Sequence, residues 1–384
     1  MGRNTINIGY IDHFKGDLSI YAHSDSLGVN AAIDYVNQTN MLGKYKLGVV
    51  KFDGESQPRN LLSQFSKEYL NAIAWITPPY YDEMLEYKLK AASMNIPMIF
   101  PATTYQNLTV GYNNLYQLVP PNNELGFASL NIVNDINSKK VVVWYDLASE
   151  YSVQYSAGFI DYFQLYAKNS QITKVFTSSY NDSIQMEEVV RYIKENNIDT
   201  IFIPARPIII NKLLGLLDSE NIKVNIIMGD IGVAYKTIFE SNSGAHIYFT
   251  RGANAKIYFV SYIYVHKVLL DKSNPTVKFF NTYLAKNAKG GESLEFSIKY
   301  FDSVLIIAQG IKTLLQKYGN IKDFESVQQF YEKLNEEIKN IKNLQSVSGH
   351  ISVLPDGSVN HSMVFLESTP SGVINLDTNS QNRE

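Results

Sequence analysis

Cysteine is absent from the chain. No disulfide scaffold, thiolate metal site or cysteine nucleophile can be built from it. The redox compartment stays open, because exported and cytosolic chains can both lack cysteine. An excess of one charge is missing too. Lys and Arg number 34 against 37 Asp and Glu, a net of −3, so there is no basic surplus of the kind nucleic acid requires. No apolar run reaches the roughly 18 residues that span a bilayer. No signal peptide opens the sequence: Met1-Gly2-Arg3-Asn4 leads at once into an apolar strand. Such a start suits an exported protein after signal removal and a cytosolic protein equally.

Catalytic motifs are missing as well. No Gly-x-Gly-x-x-Gly follows a strand, and there is neither a Gly-Lys-Ser/Thr phosphate loop nor a Gly-x-Ser-x-Gly elbow. The histidines (His13, His23, His246, His266, His350, His361) show no zinc-type spacing. Nothing in the sequence calls for a metal, a cofactor or an enzyme's nucleophile.

What remains is a chain of 384 residues, 45% hydrophobic and 18% charged, the make-up of a well-buried globular protein rather than a disordered one. At roughly 150 residues per domain it suggests two to three domains. The first half alternates short apolar runs with amphipathic ones. Strands are expected at Ile6–Ile11, Tyr45–Phe52, Ala72–Ile76 and Ile96–Phe100, with helices at Leu27–Val36, from Pro58, and at Asp82–Met94. The rhythm restarts near Asn122. Helices are expected at 122–137, 152–167, 186–196 and 209–218, and strands at 140–145, 173–176, 200–203 and 224–228. Strands this apolar imply parallel sheets covered by helices on both faces.

Beyond Phe249 the pattern changes. Helical stretches are expected at Tyr258–Leu270, Phe301–Leu315 and Phe324–Ile341. In the first, Tyr258, Phe259, Tyr262 and Tyr264 read as core packing, with a dimer face as the other reading. A hairpin is expected from His350–Leu354 and Ser362–Leu366 around Pro355-Asp356-Gly357. A polar, frayed tail follows from Asp377.

Several stretches resemble the type I periplasmic solute-binding proteins of ABC transporters, in particular the branched-chain amino acid-binding branch. The opening strand and loop run from Ile8-Gly9-Tyr10 to Lys15-Gly16, with Tyr21 before the first helix. Ala32-Ile33-Asp34-Tyr35-Val36-Asn37 resembles the family's helix end. Ile96-Pro97-Met98-Ile99-Phe100-Pro101-Ala102-Thr103-Thr104 resembles "VPLISPAAT", and Tyr116-Gln117-Leu118-Val119-Pro120 resembles "FRVVP". Val143-Trp144-Tyr145-Asp146 to Tyr151 resembles "VLYDDSAYG". Met228-Gly229-Asp230 resembles a strand end that carries an acidic ligand residue, and Tyr300-Phe301-Asp302-Ser303 resembles "GYDAV".

The resemblance implies an α/β fold of two doubly wound, Rossmann-like lobes joined by a three-segment hinge. It places the first lobe at 1–121 plus 253–343 and the second at 122–252 plus 344–384, with a ligand cleft between them that closes on ligand. Carried over residue by residue, Thr104 donates to a ligand carboxylate and the Ala102 carbonyl accepts from its ammonium. Asp230 pairs with the ammonium, and Tyr21 and Tyr151 line the site. Two positions depart from the family. Tyr81 stands where a small hydroxyl residue is usual, and Arg206 where an aromatic is common. Arg206 either grips a carboxylate through two parallel bonds or pairs with Asp230 or another acid.

The implied function is an extracytoplasmic receptor, periplasmic or at the outer cell surface. It binds an amino acid or small carboxylate without turnover and docks on a membrane permease, as a monomer or weak dimer. The alternative is the ligand-sensing domain of a chemoreceptor, sensor kinase or regulator, which the fold alone does not separate from transport. A third reading is an enzyme on the same scaffold, which turnover of a bound ligand would reveal.

Overall fold

The computed structural model describes residues 4–15, 19–54, 72–79, 81–230, 254–289, 292–321, 324–369 and 372–376. The helix expected from Pro58 and the tail from Asp377 lie outside the described residues. The chain divides into two compact units, 1–119 with 265–361 and 120–264 with 362–384, and passes from one to the other three times.

Unit 1 is built on a five-stranded, wholly parallel sheet. Its strands are β1 (Thr5–Asp12), β2 (Lys46–Asp53), β3 (Trp75–Ile76), β4 (Met98–Phe100) and β5 (Leu115–Gln117), in the order β2-β1-β3-β4-β5. The helices are α1 (Ser19–Gln38) and α2 (Tyr81–Met94). In unit 2, α3 (Asn122–Asp135) precedes β6 (Lys140–Trp144), α4 (Glu150–Tyr166), β7 (Gln171–Phe176), α5 (Ser183–Glu195), β8 (Thr200–Ile203), α6 (Pro207–Ser219), β9 (Val224–Met228) and β10 (Ala255–Ser261). The chain then returns to unit 1 with α7 (Val265–Leu269), α8 (Pro275–Asn287), α9 (Leu294–Tyr318), α10 (Val327–Lys339) and the pair β11 (Leu344–Ser346) and β12 (Gly349–Ile351). It ends in unit 2 with β13 (Val364–Thr369) and β14 (Gly372–Asn375).

The sheet of unit 2 runs β14-β13-β10-β9-β8-β6-β7. Counting its first five strands in chain order, they lie second-first-third-fourth-fifth, the order that β1 to β5 also follow. This is the flavodoxin-like winding, in which the strand order reverses beside the first strand. Unit 2 then adds β13 and β14 as an antiparallel edge.

Why these strands are so apolar is visible in their two faces. Val142, Trp144, Ile201, Ile203, Ile226 and Met228 enter one core cluster. Val141, Val143, Phe202 and Ile227 enter the cluster on the other face. With both faces buried, polar alternation has nowhere to appear. In unit 1, α1 crosses α9 so closely that a Cβ on Gly28 would meet the Ser297 carbonyl oxygen at 2.0 Å. Only glycine permits that approach.

The helices share a stop signal. Asn40, Asn95, Asn137, Asn197 and Asn221 all have positive φ, between 49° and 56°. Each follows a helix, and the next residue's N–H reaches back five residues: Ile96 to Ala91 at 3.2 Å, Ile198 to Ile193 at 3.0 Å, Ile222 to Leu217 at 2.9 Å. This is the Schellman motif with asparagine in the left-handed position, and after Asn95, Asn197 and Asn221 a buried isoleucine closes it.

Four expectations change. The strand at Ala72–Ile76 shrinks to Trp75–Ile76. The helix expected over Tyr258–Leu270 is instead β10 followed by the five-residue α7. Ile257 and Phe259 face one core cluster, Tyr258 and Val260 the other, so an unbroken apolar run had concealed a period of two. Burial of Tyr258 and Phe259 in that strand also rules out their exposure on a dimer face.

The expected hairpin keeps its turn, with a Val353–Val359 bridge, but loses its arms. β12 pairs with β11, while β13 pairs with β10 and β14. The unit boundaries move as a result. Residues 253–264 go with unit 2 because β10 is a strand of its sheet. Residues 344–361 go with unit 1: the Ser346 hydroxyl donates to Asp302 at 2.5 Å, and Gln117 N–H donates to the Gly357 carbonyl at 3.0 Å.

Candidate functional site

Open parallel sheets gather their ligand-facing groups at the carboxyl ends of the strands. In unit 1, β4 runs into the loop that carries Ala102 and Thr104, both buried. This loop is fixed from β5. The Gln117 side-chain amide donates to the Thr103 carbonyl at 2.8 Å and to the Tyr105 carbonyl at 3.0 Å. Beside it, β3 is followed by Thr77, whose N–H donates to Ile99 O at 3.0 Å and whose carbonyl accepts from the Tyr300 hydroxyl at 2.8 Å. Thr77 therefore supplies a buried hydroxyl residue directly at this strand end. Tyr81 begins α2, and its side chain lies outside the described residues. Tyr21, on α1, packs its ring 5.9 Å from that of Phe296.

In unit 2 two of the expected residues meet. The Tyr151 hydroxyl, from the first turn of α4, donates to Asp230 Oδ1 at 2.6 Å. Asp230 follows β9 after a single residue, Gly229. A Cβ on Gly229 would lie 1.9 Å from the Tyr151 hydroxyl oxygen, so the phenol occupies the space that a side chain would need. Burial, then the nearby Asp230 carboxylate, push the Tyr151 hydroxyl well above its ordinary range. It keeps its proton and stays a donor. Tyr155, one turn further along α4, is raised by the same two causes in the same order.

α4 is held in place at its start. Ser149 caps it by accepting from Ser152 N–H at 3.3 Å, and Asp146 accepts from Ala148 N–H at 2.9 Å and Tyr180 N–H at 3.2 Å. The Ser152 and Tyr180 hydroxyls lie 2.7 Å apart, and Tyr180 reaches the Trp144 carbonyl at 3.1 Å. The helix start is thus braced against the ends of β6 and β8.

Arg206 lies three residues beyond the end of β8. It precedes α6 as its N-cap, with an exposed side chain that makes no capping bond. Among the described residues the bond drawn to Asp230 comes from Tyr151. Thr77, Gln117, Ser152 and Tyr180 were not singled out from sequence. Gln117 alone carried a signal, since it sits inside the Tyr116–Pro120 motif. Among the described residues no cluster of three or more His, Asp or Glu could hold a metal, and no helix is long and apolar enough to cross a membrane.

Two α/β units of one winding, with the chain passing three times between them and paired polar groups at the strand ends, define the class of two-lobed binding proteins. The sequence profile described as "Receptor family ligand binding region" matches residues 25–369, and the chain belongs to that family. It is similar in structure to the leucine-binding protein LivK of Thermotoga maritima, at 20% identity over 96% of this chain and 97% of the other, with a TM-score of 0.74. The branched-chain amino acid transporter substrate-binding protein LivJ of Streptococcus pneumoniae, in complex with isoleucine, gives 20%, 97%, 100% and 0.75. A solute-binding protein of an ABC transporter from Rhodopseudomonas palustris, in complex with p-hydroxybenzoic acid, gives 15%, 97%, 95% and 0.75. These likenesses establish the fold, that of the type I periplasmic binding proteins. No curated protein sequence matches the chain.

Proposed function

We propose that the protein is an extracytoplasmic solute-binding receptor of an ABC transporter and that its ligand is an amino acid or a related small carboxylate. The observation that carries this reading is the Tyr151–Asp230 pair. A carboxylate oriented by a retained phenol proton is suited to accept an ammonium group. Thr104 of unit 1 offers a donor for the ligand carboxylate, the Ala102 carbonyl offers a further acceptor for the ammonium, and Tyr21 offers an apolar wall. Relatives of this fold take leucine, isoleucine or p-hydroxybenzoic acid, so the amine is the feature to test. Arg206, whose side chain is exposed, is available to a ligand carboxylate. The partner of the loaded receptor is a membrane permease, and the site of action is the periplasm or outer surface.

Thermal-shift measurements with leucine, isoleucine, valine, benzoate and 4-hydroxybenzoate test this. A ligand at a hundredfold excess over its Kd stabilises the folded chain by about 2.7 kcal/mol. The expected result is a shift with one or more amino acids that is lost in Asp230→Ala. A shift confined to the amine-free acids transfers the receptor to aromatic carboxylates, and no shift with any of them overturns the proposal.

A further inference from the structure

Asp25 is a buried acid that the candidate site does not use. It lies on α1 one turn after Tyr21, with 0% of its surface exposed, and neither carboxyl oxygen meets a hydrogen-bond donor. The Tyr300 hydroxyl approaches from α9, but its proton is committed to the Thr77 carbonyl. Asp12, at the end of β1, is also fully buried, yet it is well supplied. It accepts from the Tyr10 hydroxyl, and from His13 N–H at 2.7 Å.

The two carboxyl groups lie within hydrogen-bonding reach of each other. Among the described residues, the groups that face them are Tyr10 and His13 from β1 and its loop, Ser26 from α1 and Tyr300 from α9. The buried Lys299 of α9 faces Asp302 instead.

Two carboxylates in contact in a dry interior do not both ionise. A donor-less buried carboxylate is strongly disfavoured, whereas its protonated form is itself a donor. Asp12 already receives two donors, so it is the better home for the negative charge. We propose that Asp12 and Asp25 form a proton-binding site in unit 1, with one proton held on Asp25 at neutral pH and donated to the Asp12 carboxylate. The bond latches α1 onto the carboxyl end of β1. Release of that proton to solvent leaves two buried negative charges side by side.

Burial, then the charge of Asp12, raise the Asp25 carboxyl well above its usual range. A folded-state value above the unfolded one makes the native state the tighter proton binder. The stabilisation is complete below the unfolded value of about 4 and is lost as pH rises toward the folded value. Over that window the folded-to-unfolded ratio drops about tenfold per pH unit, or ~1.4 kcal/mol.

The test uses the whole chain. Denaturant unfolding between about pH 5 and about pH 9 is compared for the parent and Asp25→Asn, whose amide keeps a donor toward Asp12 but cannot ionise. The expected result is that the parent loses stability relative to D25N as pH rises. Equal pH slopes overturn the proposal. An infrared measurement covers the case in which D25N does not fold. A protonated-carboxyl band is expected at neutral pH in the parent and again in Asp302→Asn, which removes the other buried acid that burial raises. Absence of the band, or its loss in D302N, overturns the proposal.

Discussion

Unit 1 and unit 2 wind their first five strands in one order, and in each a helix follows the first strand. They supply their acids differently. In unit 1 the first strand ends at Asp12, and its neighbour Asp25 is buried without a donor. In unit 2 three described acids near strand ends, Asp146, Asp199 and Asp230, each have donors. Asp146 takes two backbone N–H groups, Asp230 takes the Tyr151 hydroxyl, and Asp199, before β8, takes Ser138, Thr200 and the N–H groups of Lys139 and Lys140. One winding fixes where the strand ends gather. The local supply of donors fixes which acids there carry charge.

The largest expected effect tests whether the two cores are equivalent. Phe202 stacks on Phe159 at 3.9 Å in unit 2, and Phe100 is fully buried in β4 of unit 1. Phe202→Ala and Phe100→Ala should each cost about 3–5 kcal/mol in denaturant unfolding. If either substitution leaves stability within 1 kcal/mol of the parent, roughly a surface value, that unit's core is not carried by its sheet as described.

A second prediction concerns the candidate site alone. Gly229→Ala places a methyl group on the Tyr151 hydroxyl, so the phenol must move off Asp230. The expected cost is about 1–3 kcal/mol, the range for overpacking, together with loss of any ligand-induced thermal shift. Retention of the full shift in G229A would mean that the Tyr151–Asp230 bond does not shape the site.

Much of this was readable in the sequence, for reasons that residues make plain. The strands Thr200–Ile203 and Val224–Met228 appear where expected, because short apolar runs flanked by polar turns leave little choice of period. β10 was misread because Tyr258, Phe259 and Tyr262 satisfy helical spacing as well as a buried strand's. The turn at Pro355-Asp356-Gly357 was local and legible. The partners of its flanks were not, since strand pairing depends on which sheet edge is free.

At the site, motif-level reasoning named Tyr151 and Asp230 separately and did not foresee the hydrogen bond between them. Gln117, Ser152 and Tyr180 escaped it, because each acts by bracing a loop or helix across distant sequence. Asp12 and Asp25 escaped it too. Nothing in their spacing reveals that one has donors and the other none.

The comparison of acids sharpens at Asp199. Burial pushes its carboxyl up, but hydrogen bonds from Ser138, Lys139, Lys140 and Thr200 together outweigh burial and hold it below the usual range. A folded-state value below the unfolded one stabilises the fold above about pH 4 and loses that contribution as pH falls through the folded value. Asp25 predicts the opposite sign. Asp199→Ala should cost about 1–2 kcal/mol at neutral pH, reduced because this half-buried carboxyl's donors can turn to water. The deficit relative to the parent should shrink on acidification. A deficit that grows in acid would reverse the assignment.

The smallest expected effect lies in the helix stops, which both units share. Asn221 sits at φ 52° after α6, and Ile222 N–H closes on the Leu217 carbonyl. A left-handed conformation costs an ordinary L-residue about 1–2 kcal/mol, but asparagine and glycine adopt it readily. Asn221→Ala should therefore lose about 1 kcal/mol, while Asn221→Gly should stay within about 0.5 kcal/mol of the parent. The same pair of substitutions at Asn95, after α2 in unit 1, should give the same ordering. The backbone demand there is identical: Asn95 has φ 56°, and Ile96 N–H closes on Ala91. If glycine is as costly as alanine at either position, the asparagine side chain rather than its backbone freedom ends the helix, and the stop is a side-chain cap instead of a conformational one.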